Sequence, residues 1–529
     1  MKLTLAIDQG THSTRAAVID AHGRQIAISR APVDLQVISP VEVEQSPEDI
    51  LMSLEQAISD VLAQPSVDTE AIRQAGLATQ RSSVLAWERS SGRALSPVIS
   101  WQDTRTRAQL AEREADADGI RQHTGLRLSP HYGAGKLRWL LQHNDAVRRA
   151  RDRDDLVIGP LASFLLHHLT DSRQDTVDHA NASRTLLWNL EQRDWDPWLC
   201  RLFDVPVGLL PVCRPICADH GRTVTTGVPI TAVNGDQPAA LYAHGLPGED
   251  TILVNIGTGA FVLLPTGNVP RHHPDLLTGI SRSDTMQGDY DLEGTVNGAG
   301  AAVQWAEAHY DLADWQSRLP GWLQDIKAPP VFLNTVGGLG APWWRPGPVP
   351  GFLEYGDIAA VPPADALVAV IESIAFMVCA SIGILHDLQP AASRIRISGG
   401  LSRLDGLCQR IASLSGLEVT RAFQVETTTR GIAWLAAGCP GNWAPAGEPG
   451  HFDPRADAAL EQRYKAARQM AGVMASGRMD KDSPKCVTYF WSLRNDGYEA
   501  WRATPLEDWK AEAVSLWPET EGLLSHIRT

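Results

Sequence analysis

The stretch LTLAIDQGTHSTRAAVID (residues 3–20) decides the fold. An apolar run, Leu3 to Ile7, meets a tight turn at Asp8-Gln9-Gly10-Thr11, and a second run, Arg15 to Asp20, leads to a Gly-containing turn at His22-Gly23. This is the pattern of a β-hairpin whose turn carries a carboxylate and hydroxyls. It recurs as TILVNI (251–256), the turn Gly257-Thr258-Gly259 and the run AFVLL (260–264), with Thr11 and Thr258 standing 247 residues apart. A strand, a Gly/Thr turn and a strand, twice at about half the chain length, predict two domains of similar plan facing across a cleft, each offering backbone N–H groups at a turn. Two unrelated hairpins would leave the same trace, because short hairpins are common.

The sequence around the hairpins alternates strand and helix signals. Ser46-Pro47-Glu48-Asp49 is a cap followed by proline and acids, and it leads into Ile50, Leu51, Leu54, Ile58, Val61 and Leu62 at helical spacing. Strands are predicted at 75–79 and 84–87, a long apolar helix at about 364–385, the strand RIRIS at 394–398, a helix opening near 402–405, the strand LEVTRAF (417–423) and a small-residue helix at 429–437. The Gly- and Pro-dense segment 438–454 reads as a loop outside either core, followed by a helix at about 455–476. His167-His168 reads as a helix-surface feature and Trp343-Trp344 as packing. The fold class is therefore α/β.

A chain of 529 residues, 43% apolar and 21% charged, has room for two or three domains with full cores. The expected division is 1–243, 244–475 and an extension, 476–529, which holds four of the 17 Trp and is too rich in large apolar side chains for an ordinary disordered tail. A net charge of −15 without any block of like charge argues against nucleic acid as a partner. Seven scattered cysteines read as reduced thiols of a cytoplasmic protein. The first apolar run is too short for a signal peptide, and the longest apolar segment, 366–385, is interrupted by Glu372, so no membrane span is expected.

Four elements carry chemistry. Asp8 ends a strand and is followed by Gly10, Thr11 and Arg15; such a turn offers amides, a hydroxyl and a cation to a polyphosphate while the carboxylate faces a metal ion. The same turn also occurs as a plain hairpin. In Asn234-Gly235-Asp236-Gln237-Pro238, Asp236 could accept a proton from a hydroxyl nucleophile or could simply cap the helix that follows. Gly257-Thr258-Gly259 would wrap the terminal phosphates from the second domain, and Ser398-Gly399-Gly400 lets backbone approach a nucleotide closely.

These elements belong to an ordered set: DQGTHSTRAAV (from Asp8), ATQRSSVLAWERSSGRALSPVISWQDTRT (from Ala78), DHANASRTLLWNL (from Asp178), NGDQPAAL, NIGTGAF, EGTVNGAGAAVQW (from Glu293), GGLGAPWW (from Gly337) and SGGLSRLDGLCQ (from Ser398). The set resembles the FGGY carbohydrate kinases over about residues 1–440, closest in pattern to their glycerol kinases. The resemblance implies two ribonuclease-H-like (actin-like ATPase) domains flanking a central catalytic cleft, with ATP and Mg²⁺ as cofactors and a polyol or sugar as acceptor. It implies Asp236 as catalytic base, with Asp8 and Asp236 at the metal ion. Thr11, His12, Arg15, Thr258 and Gly259 match the phosphate-contacting turns, and Gly300, Gln304, Gly399 and Gly400 match nucleotide-side positions. A homo-oligomer, first of all a dimer, is the expected assembly.

At the acceptor end, Arg81, Trp101, Asp236, Gln237 and Phe261 match the glycerol kinase pattern, whereas Ser82 stands where a Glu is expected and His131 where a Tyr is expected, unless the register slips and Tyr132 takes that place. Losing a charge-assisted acceptor and freeing space points to a different or larger polyol. A pentulose or tetritol kinase of the same family and a non-catalytic sugar-sensing relative are the competing readings. Leu404, Asp405 and Ser398 also depart from the pattern on the adenosine side.

Overall fold

A computed structural model describes residues 2–475, apart from 346, 354, 356, 422–425 and 444–449. The extension 476–529 and part of the predicted strand 417–423 lie outside the described residues. The first hairpin is β1 (Leu3–Gln9) and β2 (Ser13–Asp20), and β3 (Gln25–Pro32), β4 (Ile72–Thr79) and β5 (Ile230–Gly235) complete a sheet in the order β5-β4-β1-β2-β3. β2 runs antiparallel to both β1 and β3, and β4 and β5 run parallel to β1. Every residue of β1 is buried, because helices cover both faces of this sheet.

One covering helix is α1 (Pro47–Leu62), and it starts where the sequence signals it: Ser46 Oγ accepts from the Asp49 N–H at 3.1 Å, with Pro47 in the first turn. Its buried face, Ile50, Leu54, Ile58 and Val61, packs on β2 and β3. Later in the same half, α2 (Gly133–His143) and the short α3 (Asp236–Ala240) carry side chains of the site.

The second hairpin is β6 (Thr251–Ile256) and β7 (Ala260–Gly267), in a seven-stranded sheet with β8 (Leu277–Ser283), β9 (Gly288–Val296), β10 (Arg394–Ser398), β11 (Glu418–Arg421) and β12 (Gly450–Phe452), ordered β8-β9-β7-β6-β10-β11-β12. Its core, β9-β7-β6-β10-β11, repeats the first sheet strand for strand, with the same antiparallel hairpin and the same two parallel strands beyond it. The repeated turn is thus a repeated domain rather than two chance hairpins. The helices α4 (Gly300–His309), α5 (Pro363–Leu388), α6 (Asp405–Ser415), α7 (Thr427–Ala436) and α8 (Ala458–Ala475) belong to this part of the sequence. α5 is long and apolar enough to cross a membrane, yet 89% of its most apolar stretch is buried in the second core, so its composition is that of a core helix.

Three details differ from the sequence reading. Within the segment expected to be all loop, Gly450–Phe452 forms β12 and pairs antiparallel with β11. His167 is buried rather than on a helix surface, its Nδ1 3.1 Å from Asp175 Oδ1, because the strand Thr176–Asp178 and the turn at Gly92 pack against the helix Leu161–Leu169. And α7, late in the sequence, packs not on the second sheet but on β1, β4, β5 and α3 of the first half.

Gly431 makes that docking possible. A Cβ placed on it would lie 1.8 Å from the Ala239 carbonyl oxygen of α3, and neither backbone can give way. We expect Gly431→Ala to lose about 3 kcal/mol of stability through forced separation of the two helices; an unchanged urea midpoint would show that the contact carries no such strain.

Candidate active site

The turn between β1 and β2 is built on buried amides. Gly10 N–H bonds Ser13 O at 3.0 Å, and Gln45 Nε2 donates to Thr11 O at 2.8 Å. Beneath it, Gln80 Nε2 donates to Gln9 Oε1 (3.2 Å) and Gln45 Oε1 (2.9 Å), all three side chains lying in the core. No spacing in the sequence marks Gln45 and Gln80, since the three glutamines meet only through strand pairing. Thr11 is half-buried and His12 exposed, and Trp101 Nε1 donates to Thr11 Oγ1 at 2.9 Å. The predicted acceptor-side Trp is therefore fixed to the predicted phosphate turn.

Asp8, near the end of β1, is buried and ion-paired with Arg15 Nη1 at 3.1 Å, and Arg15 Nε reaches Glu426 Oε2 at 3.2 Å. Burial pushes the Asp8 carboxyl up to about 7; Arg15 opposes the shift, and the negative charges of Asp236 and Glu426 add to it. Such a group favours an added cation. Among the described residues no three His, Cys, Asp or Glu side chains form a metal cage. The residues thus suit an ion that takes one or two carboxylates and completes its shell with phosphate and water, which is how Mg²⁺ is usually held. The corresponding position of the second hairpin is Asn255, so only the first turn carries an acid.

Asp236 opens α3 directly after β5. Its side chain is 27% exposed, with Oδ1 accepting from the Gln237 N–H at 2.8 Å and lying 3.9 Å from Arg81 Nε. The helix cap is Gly235, not Asp236, so the carboxylate at the helix start has no capping role. Burial raises its pKa, Arg81 opposes this and Glu293 adds to it. Gln237 Oε1 accepts from Asn255 Nδ2 at 3.2 Å, and the Asp236 carbonyl accepts from Thr428 Oγ1 at 3.5 Å. The first residues of α3 are therefore held from both β6 and α7.

At the acceptor end the structure adds two residues that lay inside quoted motifs without a role. Glu293 Oε2 on β9 accepts from Arg81 Nη2 (3.2 Å) and Arg184 Nη2 (2.6 Å), and Glu293 Oε1 accepts from Thr295 Oγ1 at 3.2 Å. Burial pushes Glu293 up, but Arg184 and Arg81 outweigh it and hold the carboxyl below its ordinary value. Arg184 also hydrogen-bonds the buried Tyr132. Their pairing crosses from one half of the chain to the other, so no local pattern could reveal it.

His131 lies edge-to-face against Trp101, ring centroids 5.4 Å apart, and is half-buried beside Tyr132. Burial and the nearby Lys136, Arg184 and Arg81 hold its imidazole well below the ordinary value, so the ring is neutral. Ser82 is buried with φ of 65°, and its hydroxyl is among the buried polar groups without a partner in the described residues. Lys136 of α2, also buried, donates to Ser100 O (2.7 Å), His131 O (2.7 Å) and Ser82 O (3.4 Å). One ammonium thus ties together the three loops bearing Ser82, Trp101 and His131. Phe261 stands half-buried on β7, paired in register with Thr295 and Asn255.

On the other side of Asp236, Thr258 is exposed and its carbonyl accepts from Ala301 N–H at 2.9 Å, while Gly300 N–H bonds Gly257 O at 2.9 Å. These bonds seat the start of α4 on the turn that also holds Gly259. Gln304 is exposed one helical turn further on. Gly399 follows β10 at φ of 90°, where a Cβ would lie 2.5 Å from Ile256 O, so only glycine lets the chain turn against β6; Gly400 beyond it faces open space.

The sequence profile of the N-terminal domain of the FGGY family of carbohydrate kinases matches residues 3–242, and that of its C-terminal domain matches residues 252–438. A glycerol kinase of Xanthobacter autotrophicus is 36% identical over 450 residues, covering 82% of this chain and 89% of that protein. One of Alkalilimnicola ehrlichii is 36% identical over 489 residues, covering 89% and 97%. The crystal structure of Plasmodium falciparum glycerol kinase with ADP superposes with a TM-score of 0.78 at 24% identity, covering 90% of this chain and 98% of that one. The ligand-bound xylulose kinase from Lactobacillus acidophilus gives 0.75 at 18% identity, covering 93% and 100%. At such identities the two crystal structures speak for the fold alone, the actin-like ATPase plan. With both halves matched and relatives above 30% identity along most of its length, the chain belongs to the FGGY family of carbohydrate kinases and is a phosphotransferase with an alcohol group as acceptor.

Proposed function

We propose that this kinase transfers the γ-phosphoryl group of ATP to a hydroxyl of glycerol or a related polyol, with Asp236 as the base that orients and deprotonates the acceptor. The observation that carries the reading is the placement of Asp236: a partly exposed carboxylate at a helix start, 3.9 Å from the Arg81 guanidinium and electrostatically coupled to Asp8. Thr11, His12 and Arg15 on one turn and Thr258 and Gly259 on the other are suited to the phosphates. Gly300, Gln304, Gly399 and Gly400 are suited to the nucleoside side. Mg²⁺ at Asp8 and Asp236 would supply charge neutralisation of the transferring group. Phosphoryl transfer asks chiefly for positioning and charge compensation, and Arg81, Trp101, Gln237 and Phe261 supply positioning on the acceptor side. The relatives named glycerol kinase support glycerol as acceptor. The free cysteines of the described residues and the need for ATP support a cytoplasmic enzyme.

The unpartnered Ser82 hydroxyl favours a second reading, in which a tetritol or pentulose brings a further hydroxyl to that position. ADP release measured with glycerol, erythritol, xylulose and ribulose separates them, and no turnover with any of the four would overturn the kinase assignment to this acceptor class. Ser82→Glu should restore a charge-assisted acceptor and improve kcat/KM for glycerol over the longer substrates by about tenfold. An unchanged ratio would mean that residue 82 does not read acceptor length.

A further inference from the structure

Away from the catalytic residues, the chain brings two thiols together. Cys217 lies in the segment leading to β5, its N–H bonded to Ser283 O of β8 at 2.8 Å and its backbone bridged to Ala232 of β5. Cys439 follows the end of α7, held at φ of 59° with its N–H on Trp434 O at 3.0 Å. The two side chains share a hydrogen bond, and Arg282 Nη1 of β8 stands 4.0 Å from Cys439 Sγ. Cys217 and Cys439 are half-buried residues rather than core ones, and Arg282 beside Cys439 is 21% exposed.

We propose that Cys217 and Cys439 are a redox-active pair that a hydroperoxide converts to a disulfide, clamping the end of α7 to the junction of β5 and β8. The chemistry follows from their unequal surroundings. A hydrogen bond from Cys217 lowers Cys439 against the opposing effect of burial, and the Arg282 guanidinium, 4.0 Å from Cys439 Sγ, favours a thiolate there as well. Cys439 is the nucleophile. Its thiolate attacks a peroxide oxygen, the O–O bond breaks and hydroxide leaves as water after taking a proton. The Cys217 sulfur then attacks the resulting sulfenic acid, an S–S bond forms, the S–O bond breaks and a second water departs with the Cys217 proton. Two thiols lose two electrons and hydrogen peroxide is reduced to two waters.

The other described cysteines lack this arrangement. Cys200, Cys379 and Cys408 are buried, and burial pushes Cys200 and Cys408 up to about 12. Because α7 packs on α3 and bonds the Asp236 carbonyl, the clamp acts one helix away from the catalytic carboxylate.

The test uses the reduced full-length chain and hydrogen peroxide, with no dependence on kinase turnover. Peptide mapping under non-reducing conditions should recover a Cys217–Cys439 link that dithiothreitol reverses. In Cys217→Ser, dimedone should trap a sulfenic acid on Cys439, and in Arg282→Gln the alkylation of Cys439 at neutral pH should slow by about tenfold. Alkylation of Cys439 no faster than that of Cys213, or peroxide treatment that leaves both thiols free while oxidising others, would overturn the pairing.

Discussion

Replacing Asp236 by asparagine is expected to lower kcat by at least ~10²-fold with ATP affinity nearly kept. The substitution is close to isosteric, and the Gln237 N–H, now 2.8 Å from Oδ1, would still find an amide oxygen, so the start of α3 keeps its geometry. What disappears is the negative charge beside Arg81 and, with it, the base proposed to receive the acceptor's proton. The residues predicted to hold phosphates sit on other elements: Thr11 and Arg15 around the first turn, Thr258 on the second. Steady-state rates with the best acceptor, together with ATP binding followed by calorimetry, would separate the two effects. Near-normal turnover in this variant would remove Asp236 from catalysis.

Replacing Glu293 by glutamine should have the largest effect on the folded state. One carboxylate, 2% exposed, is ion-paired with two guanidiniums that are themselves 10% and 4% exposed. Removing one partner of a buried ion pair leaves uncompensated charge in a low-dielectric place, which typically costs about 3–5 kcal/mol. For a domain of this size that corresponds to a fall in Tm of roughly 6–20 °C. Arg81 would also lose its anchor and move relative to Asp236, so KM for the acceptor should rise several-fold at temperatures where the variant remains folded. A melting temperature within about 2 °C of the parent protein would show that solvent or another acid compensates the pair.

Much of the architecture is legible in local sequence. The hairpin at 3–20 and its echo at 251–264 mark the first two strands of both sheets, because an apolar run, a Gly/Thr turn and another apolar run leave the backbone few alternatives. The cap at Ser46 placed α1, since side-chain capping is a local interaction. Local signals fail where interactions cease to be local. β12 was hidden in a Gly- and Pro-rich segment because its pairing partner, β11, supplies the hydrogen bonds. His167 read as surface because helical spacing shows which face a residue occupies, and not which layers cover it.

The sequence by itself determined the α/β class, the doubled plan and the chemical types in the site: an acid after the first strand, an acid at a Gly turn and two phosphate-suited turns. These are properties of short segments, and short segments keep them in isolation. Tertiary structure alone decided that Glu293 joins Arg81 to Arg184, that Lys136 fastens the loops of Ser82, Trp101 and His131, and that α7 crosses back onto the first sheet against α3. Each joins groups far apart along the chain, and burial makes an unpaired charge or polar group costly, so their partners are fixed by how the sheets and helices close on one another.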